Sequence, residues 1–192
     1  MSIGYSVEGS TDRAFIKGLH RRWLPSAKLV EGAFRGTSIR REIPKICLEL
    51  THKGVEAIIF LTDANLQPRR EVKQRESQYV PVKYQHLTIY GVADRNIECW
   101  LAADREYLAQ QIRITPKELD VTDPKDVIEH AMGITSYDKK EEEIVAIVIS
   151  APIRNWLNNS RSFEEFYEEA RSLSKRLNQP IPNEREKSSA GY

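Results

Sequence analysis

The sequence predicts an α/β fold built on a mostly parallel sheet flanked by helices. Apolar, β-branched runs alternate with segments of helical spacing from the amino terminus to about residue 104. The run over residues 56–62 is apolar almost throughout, as is usual for a central strand buried on both faces. Strands that alternate with helices at this spacing favour parallel pairing, with helices covering both faces of the sheet.

The predicted strands, in chain order, are residues 3–7, 27–30, 56–62 and 86–92. The first helix is predicted over 11–24, because Phe15, Leu19 and Trp23 share one helical face. A second helix opens at Ser38, and Pro44 leaves open a later start near residue 44. An exposed helix over 68–75 and a helix over 97–103 complete this half of the chain.

The character of the chain changes after about residue 104. Helices are predicted over 139–149 and 162–177, with a final strand over 145–149 as the alternative because that run is rich in β-branched residues. Residues 180–192 are polar and contain proline and glycine, which predicts a flexible tail. We therefore expect a core at 1–105, a helical carboxyl-terminal region packed on it at 106–179, and the tail at 180–192.

Composition sets only broad limits on function. The chain has 192 residues and a net charge of +1, which neither demands nor excludes a nucleic-acid partner. Its two cysteines, Cys47 and Cys99, form no CxxC motif, so a disulfide framework or a structural zinc site is not expected. No segment resembles a signal peptide or a membrane span. We expect a cytoplasmic protein without a membrane partner.

Acidic residues follow the predicted strands. Glu8 comes after the first strand, Asp63 after the central one, and Asp94 after the fourth, with Glu98 one helical turn further on. Ligands in open α/β sheets bind in the crevice outside the carboxyl ends of the strands. Carboxylates converging there suit Mg²⁺, which takes oxygen ligands, and metal-assisted phosphodiester chemistry.

Each acid also has an ordinary structural explanation. Glu8 could accept hydrogen bonds from the amides of the following turn, and Asp12 would stabilise the first turn of a helix without any ligand. Asp94 could form a turn with Asn96, and Glu98 could face solvent or cap its helix.

Three segments in this order resemble the TOPRIM fold, a Rossmann-like α/β fold. They are Val7-Glu8-Gly9-Ser10-Thr11-Asp12, the strand ending in Asp63-Ala64-Asn65, and the segment from Ala93 to Asp104 that contains Asp94, Glu98 and Trp100-Leu101. Together with the helix that opens at residues 162–166, they are similar to the small prokaryotic TOPRIM proteins related to OLD-family nucleases, which often occur in phage-defence loci.

The resemblance implies roles for individual residues. Glu8 would match the invariant glutamate of the family, a metal ligand or general acid–base, and Asp12 the acid that follows it. Asp63 would match the first aspartate of the family's Asp-x-Asp motif. Asp94 and Glu98 would fall where OLD-type nucleases carry further acids.

The chain departs from the family pattern at Asn65, which stands where Asp-x-Asp has its second aspartate. Its side-chain carbonyl could still bind a metal, but one negative charge is lost. The predicted metal ligands are Glu8, Asp12, Asp63, Asn65 and Asp94, and the predicted catalytic residues are Glu8, Asp63, Asp94 and Glu98. The predicted cofactor is Mg²⁺ or Mn²⁺.

A basic segment directly follows Asp63 and is predicted to bind nucleic acid. It contains Arg69, Arg70, Lys73 and Arg75. Such residues could follow a phosphate backbone. The ordinary alternative is a solvated helix face whose field is blunted by interleaved glutamates.

The preferred hypothesis is a metal-dependent TOPRIM nuclease acting on DNA or RNA in a phage-defence or toxin-like system. The main alternative is a catalytically degenerate TOPRIM-like module that binds a partner protein or nucleic acid, which Asn65 favours. A phosphotransfer or nucleotide-binding enzyme is a third alternative, but no glycine-rich phosphate loop supports it. A partner ATPase, another defence-system subunit and a homodimer remain open.

Overall fold

A four-stranded, all-parallel sheet with helices on both faces organises the chain, in the order β2-β1-β3-β4, which confirms the predicted α/β class with a parallel sheet flanked by helices. The computed structural model describes residues 1–32 and 39–186, and of Ile39 and Arg40 the backbone only. The strands are β1 Ser2–Val7, β2 Lys28–Glu31, β3 Ala57–Asp63 and β4 Thr88–Ala93.

Four helices connect or follow these strands in the first half of the chain: α1 Ser10–Trp23, α2 Ile39–His52, α3 Arg69–Ser77 and α4 Val82–Gln85. After β4 the described chain is helical: α5 Ile97–Leu101, α6 Arg105–Ile112, a 3₁₀ helix Pro116–Leu119, α7 Lys125–Met132, α8 Glu141–Ser150, α9 Ile153–Asn159 and α10 Arg161–Arg176.

The order of the strands creates a switch point between β1 and β3. From β1 the chain steps through α1 to β2 on one side, and then crosses back through α2 to β3 on the other. The connection from β1 to β2 and the connection from β2 to β3 cross the sheet in opposite directions. Because parallel crossovers are right-handed, these two connections run over opposite faces of the sheet. The carboxyl ends of β1 and β3 therefore flank the crevice in which open α/β sheets bind ligands.

Each face of the sheet carries its own hydrophobic core. Helices α2, α3 and α4 cover one face, where Ile46, Phe60 and Tyr90 are buried. On the other face α1 and the carboxyl-terminal helices enclose an aromatic cluster in which Phe15 contacts Trp100, Trp156 and Phe163.

The structure decides two alternatives of local structure. The predicted helix over 139–149 is confirmed as α8, and the alternative of a strand over 145–149 is wrong. Three glutamates occupy the first turn of α8, where they favour a helix, and Val145 and Val148 pack against Gly18 of α1. Pro44 lies inside α2 and does not set its start, while the predicted start at Ser38 lies outside the described residues.

The carboxyl-terminal part packs on the sheet. Phe166 of α10 lies over Gly91 of β4, where an added Cβ would come within 2.8 Å of its ring. In the segment for which a flexible tail is predicted, Ile181 and Glu184 are buried, and Glu184 pairs with Arg22. None of the described helices combines the length and the apolar character needed to cross a membrane.

Candidate functional site: a cluster of acids at the switch point

Glu8 and Asp63 lie on the two strands that border the switch point. Glu8 follows β1 directly, and Asp63 is the last residue of β3, which pairs with β1 through Val7 and Leu61. The hydroxyl of Thr62 donates a hydrogen bond to Glu8 Oε1 over 3.1 Å. The parallel register thus places both acids at the same edge of the sheet.

Asp12 enters the same edge from the first turn of α1. It is buried, and its Oδ2 accepts a hydrogen bond of 2.8 Å from the backbone N–H of Gly9. Burial raises the pKa of Asp12, while the bond from Gly9 acts in the opposite direction. This bond explains why an acid is favourable at this position of the helix.

Glu98 comes from the first turn of α5 and is 3% exposed. The side chain of Asn96 caps this helix by accepting a hydrogen bond of 3.3 Å from the backbone N–H of Cys99. Burial is the main cause of the raised pKa of Glu98, and the charge of Asp12 raises it further. The alternative of a solvent-facing Glu98 is therefore wrong.

Asp63 lies in a strongly perturbed environment. Its Oδ1 is buried and has no hydrogen-bond partner within the described part of the chain. Burial raises the pKa of Asp63 to about 8, and the nearby charges of Asp12, Glu98 and Glu8 add to the effect. We call Glu8, Asp12, Asp63 and Glu98 the acid cluster, because the charge of each of the other three raises the pKa of Asp63.

Lys125 supplies positive charge to the acid cluster. It is the first residue of α7, and its pKa is raised because attraction to Glu98, to Glu129 on α7 itself, and to Asp63 and Asp12 outweighs the opposing effect of burial. It makes no ion pair within 4.0 Å with the described residues. The sequence gives no signal for this role, since Lys125 belongs to no motif and only the packing of α7 on α5 brings it close.

Asp94 lies at the end of β4 but is held by other partners. Its Oδ1 is 3.1 Å from Nε of Arg69, and its Oδ2 accepts a hydrogen bond of 2.7 Å from the hydroxyl of Ser162. That hydroxyl in turn accepts a hydrogen bond from the indole N–H of Trp100. The structure thus ties Asp94 to α3 and α10, and the main causes of the raised pKa of Asp63 do not include the charge of Asp94.

Asn65 occupies an exposed turn immediately after β3. Its φ is 53°, in the left-handed region that asparagine tolerates better than most residues, and its backbone N–H donates to the carbonyl of Arg95 over 2.8 Å. The backbone conformation therefore gives this asparagine a structural reason that is independent of metal binding.

The basic residues predicted to bind nucleic acid are mostly paired with glutamates. Arg69 makes a two-pronged contact with Glu165, Lys73 pairs with Glu169, and Arg75 pairs with Glu76. The pKa of Glu165 is lowered to about 2, chiefly through its hydrogen bond from Arg69. Arg70 is exposed and forms no ion pair with the described residues. The positive field of this segment is therefore weaker than its sequence suggests.

The chemistry of the acid cluster fits a hard divalent cation. All its donors are carboxylate oxygens, which Mg²⁺ and Mn²⁺ prefer, and the unpartnered Oδ1 of Asp63 is a buried acceptor that lacks a donor. With the side chains as they stand, no three His, Cys, Asp or Glu residues of the described ranges surround a single metal position. A cation would therefore require side chains of the cluster to turn towards it, and Glu8 is the most exposed of the four.

Comparisons of the chain with models of protein families, with curated proteins and with solved structures gave no match.

Proposed function

We propose that this protein is a metal-dependent nuclease whose active site is the acid cluster. The observation that carries the proposal is the buried, unpartnered carboxylate oxygen of Asp63 at the switch point of a parallel sheet, with Glu8, Asp12 and Glu98 around it. Strongly perturbed carboxyl groups in such a crevice are typical of active sites.

The electrostatics explain why the cluster favours a divalent cation. Like charges raise the pKa of one another, and the positive charges of Lys125 and, at Asp12, of Arg13 offset only part of the charge of four carboxyl groups. A divalent cation would offset the remaining charge and give Asp63 Oδ1 a partner. Asp63 and Glu98 would hold the cation, and the nearby negative charge of Asp12 would add to the attraction.

Such a cation polarises a phosphodiester and lowers the pKa of a water molecule when it is bound. Side chains of the protein would accept the proton and stabilise the developing charge. Glu8 is the most exposed acid of the cluster, and partial desolvation raises its pKa, so it is suited to accept a proton from the attacking water. The ammonium group of Lys125 would attract the phosphate and stabilise the charge that develops on it.

The resemblance of three chain segments to TOPRIM nucleases of the OLD type supports nucleic acid as the substrate and a role in phage defence, within the cytoplasm. In this proposal Asp94 binds Arg69 and positions α3, and Asn65 completes the turn after Asp63.

The second candidate is a binding module that has lost catalysis. The ion pairs of Arg69, Lys73 and Arg75 favour it, because a nuclease normally offers unpaired cations to the phosphate backbone. Asn65 in place of an aspartate points in the same direction.

A cleavage assay distinguishes the two candidates. Plasmid, single-stranded DNA and tRNA are incubated with the purified chain and Mg²⁺ or Mn²⁺, or with EDTA. We expect metal-dependent cleavage, reduced on the order of 100-fold or more by Asp63→Asn. Asp120→Asn is the matched control, because Asp120 is an exposed aspartate paired with Arg105. Cleavage that survives Asp63→Asn or EDTA contradicts the proposal, and binding without cleavage favours the module.

A further inference from the structure

Asp123 connects the two helices that bring Glu98 and Lys125 to the acid cluster. Its Oδ1 accepts a hydrogen bond of 2.7 Å from the side-chain amide of Asn96 and one of 3.2 Å from the backbone N–H of Lys125. Its Oδ2 lies 3.5 Å from a guanidinium nitrogen of Arg95. One carboxylate therefore contacts both the turn before α5 and the start of α7.

Asn96 makes this connection specific. Its side chain is buried, with the carbonyl oxygen directed to the N–H of Cys99 and the NH₂ group to Asp123. The carbonyl side thus fixes the first turn of α5, which contains Glu98, and the amide side fixes the loop that leads into α7. A displacement of Asp123 would move the start of α7 relative to α5.

We propose that Asp123 is a positioning residue of the acid cluster, which holds the start of α7 so that the Lys125 ammonium group faces Glu98 and Asp63. An effect of Asp123 on catalysis rests on the function proposed above, whereas its contacts with Asn96 and with the backbone of Lys125 do not. Lys125 makes no ion pair within 4.0 Å with the described residues, so its own side chain does not anchor it. Its place depends on the backbone that Asp123 holds.

A purely structural role for Asp123 would be to stabilise the amino-terminal end of α7. Such a role predicts a lower stability of the Asp123→Ala protein without a specific effect on Lys125. The test must therefore report on the Lys125 side chain itself.

Competitive reductive methylation followed by mass spectrometry gives that report. The reaction rate of Lys125 is measured at pH 8 and normalised to the exposed Lys117 in the same protein. Attraction to Glu98, Asp63 and Asp12 keeps Lys125 protonated and slow to react, and Glu129 on α7 itself adds an attraction that moves with the helix. Asp123→Ala should accelerate its methylation several-fold, since each unit of lowered pKa gives about a tenfold larger fraction of free amine.

Two further variants distinguish a specific effect on the position of Lys125 from a general loosening of the loop before α7. Asp123→Asn keeps an oxygen that accepts from Asn96 and Lys125, so its rate should stay within about twofold of the wild-type rate. Asp120→Ala removes an exposed aspartate from the same loop and should leave the rate unchanged. An unchanged rate in Asp123→Ala, or equal acceleration in Asp120→Ala, would overturn the proposal.

Binding of Mn²⁺ separates this inference from the proposed function. If Lys125 faces the cluster, Lys125→Met should bind Mn²⁺ more tightly on the order of tenfold, because a competing positive charge is gone. Asp123→Ala should have an effect in the same direction, and the double variant should bind no more tightly than Lys125→Met. Suppose that no variant binds Mn²⁺, while Asp123→Ala still accelerates the methylation of Lys125 and Asp120→Ala does not. This result would refute the proposed function and leave the positioning role of Asp123 in place.

Discussion

The carboxyl group of Asp63 makes the stability of the metal-free protein depend on pH, and Asp63→Asn should remove that dependence. Burial and neighbouring charges raise the pKa of Asp63 from 3.8 to about 8. Between these two values the folded protein holds a proton that the unfolded chain has released. The stability contributed by this residue therefore falls as the pH rises from about 4 to 8, and is constant above that range.

The size of the effect follows from the shift. Each pKa unit corresponds to about 1.4 kcal/mol, so ionised Asp63 costs the folded state about 5 kcal/mol at pH 8 and almost nothing at pH 4. An asparagine at the same place leaves the same buried oxygen without a donor, so the two proteins should differ little at pH 4, where Asp63 is largely protonated. Asp63→Asn should thus stabilise the protein by about 5 kcal/mol at pH 8 and by almost nothing at pH 4.

The assay is urea denaturation of both proteins in EDTA at a series of pH values. Asp120→Asn is the control, because an exposed aspartate paired with Arg105 should change stability little at either pH. A difference between wild type and Asp63→Asn that is the same at pH 4 and pH 8 would refute the electrostatic description of the acid cluster.

Two other predictions concern the packing that supports the site. Glu184→Gln should lower the free energy of unfolding by about 3–5 kcal/mol in urea denaturation, because it leaves the nearly buried Arg22 without its counter-charge, whereas Glu186→Gln on the exposed side should change it little. Gly18→Ala should lower the thermal midpoint measured by circular dichroism, because an added Cβ would come within 2.5 Å of Val148 and force α8 away from α1; a midpoint equal to that of the wild type would contradict this packing.

Much of the fold could be predicted from the sequence because its strands are short apolar runs separated by clear turns. The order of the strands could not be read from the sequence, since it depends on which face each connecting helix covers. Residues 145–149 show why composition alone misleads: their β-branched side chains suit a strand, yet three preceding glutamates and the contact with Gly18 make them a helix.

The candidate site likewise has features that the sequence predicts and features that depend on tertiary packing. The proximity of Glu8 and Asp63 follows from local rules, because both lie at ends of neighbouring parallel strands. The surroundings of Asp94 depend on Ser162, which comes from a helix 68 residues later in the chain. The approach of Lys125 to the acids likewise depends on tertiary packing, which no local pattern encodes.

Proton release on Mn²⁺ binding tests the central claim, that the acid cluster binds a divalent cation through Asp63, most directly. Calorimetric titration at pH 7 in two buffers of different ionisation enthalpy gives the number of protons released for each ion bound. Because the pKa of Asp63 is about 8, the wild-type protein should release about one proton for each Mn²⁺, and Asp63→Asn should bind the ion far more weakly. Equal affinity in both proteins, or binding by the wild type without proton release, would contradict the claim.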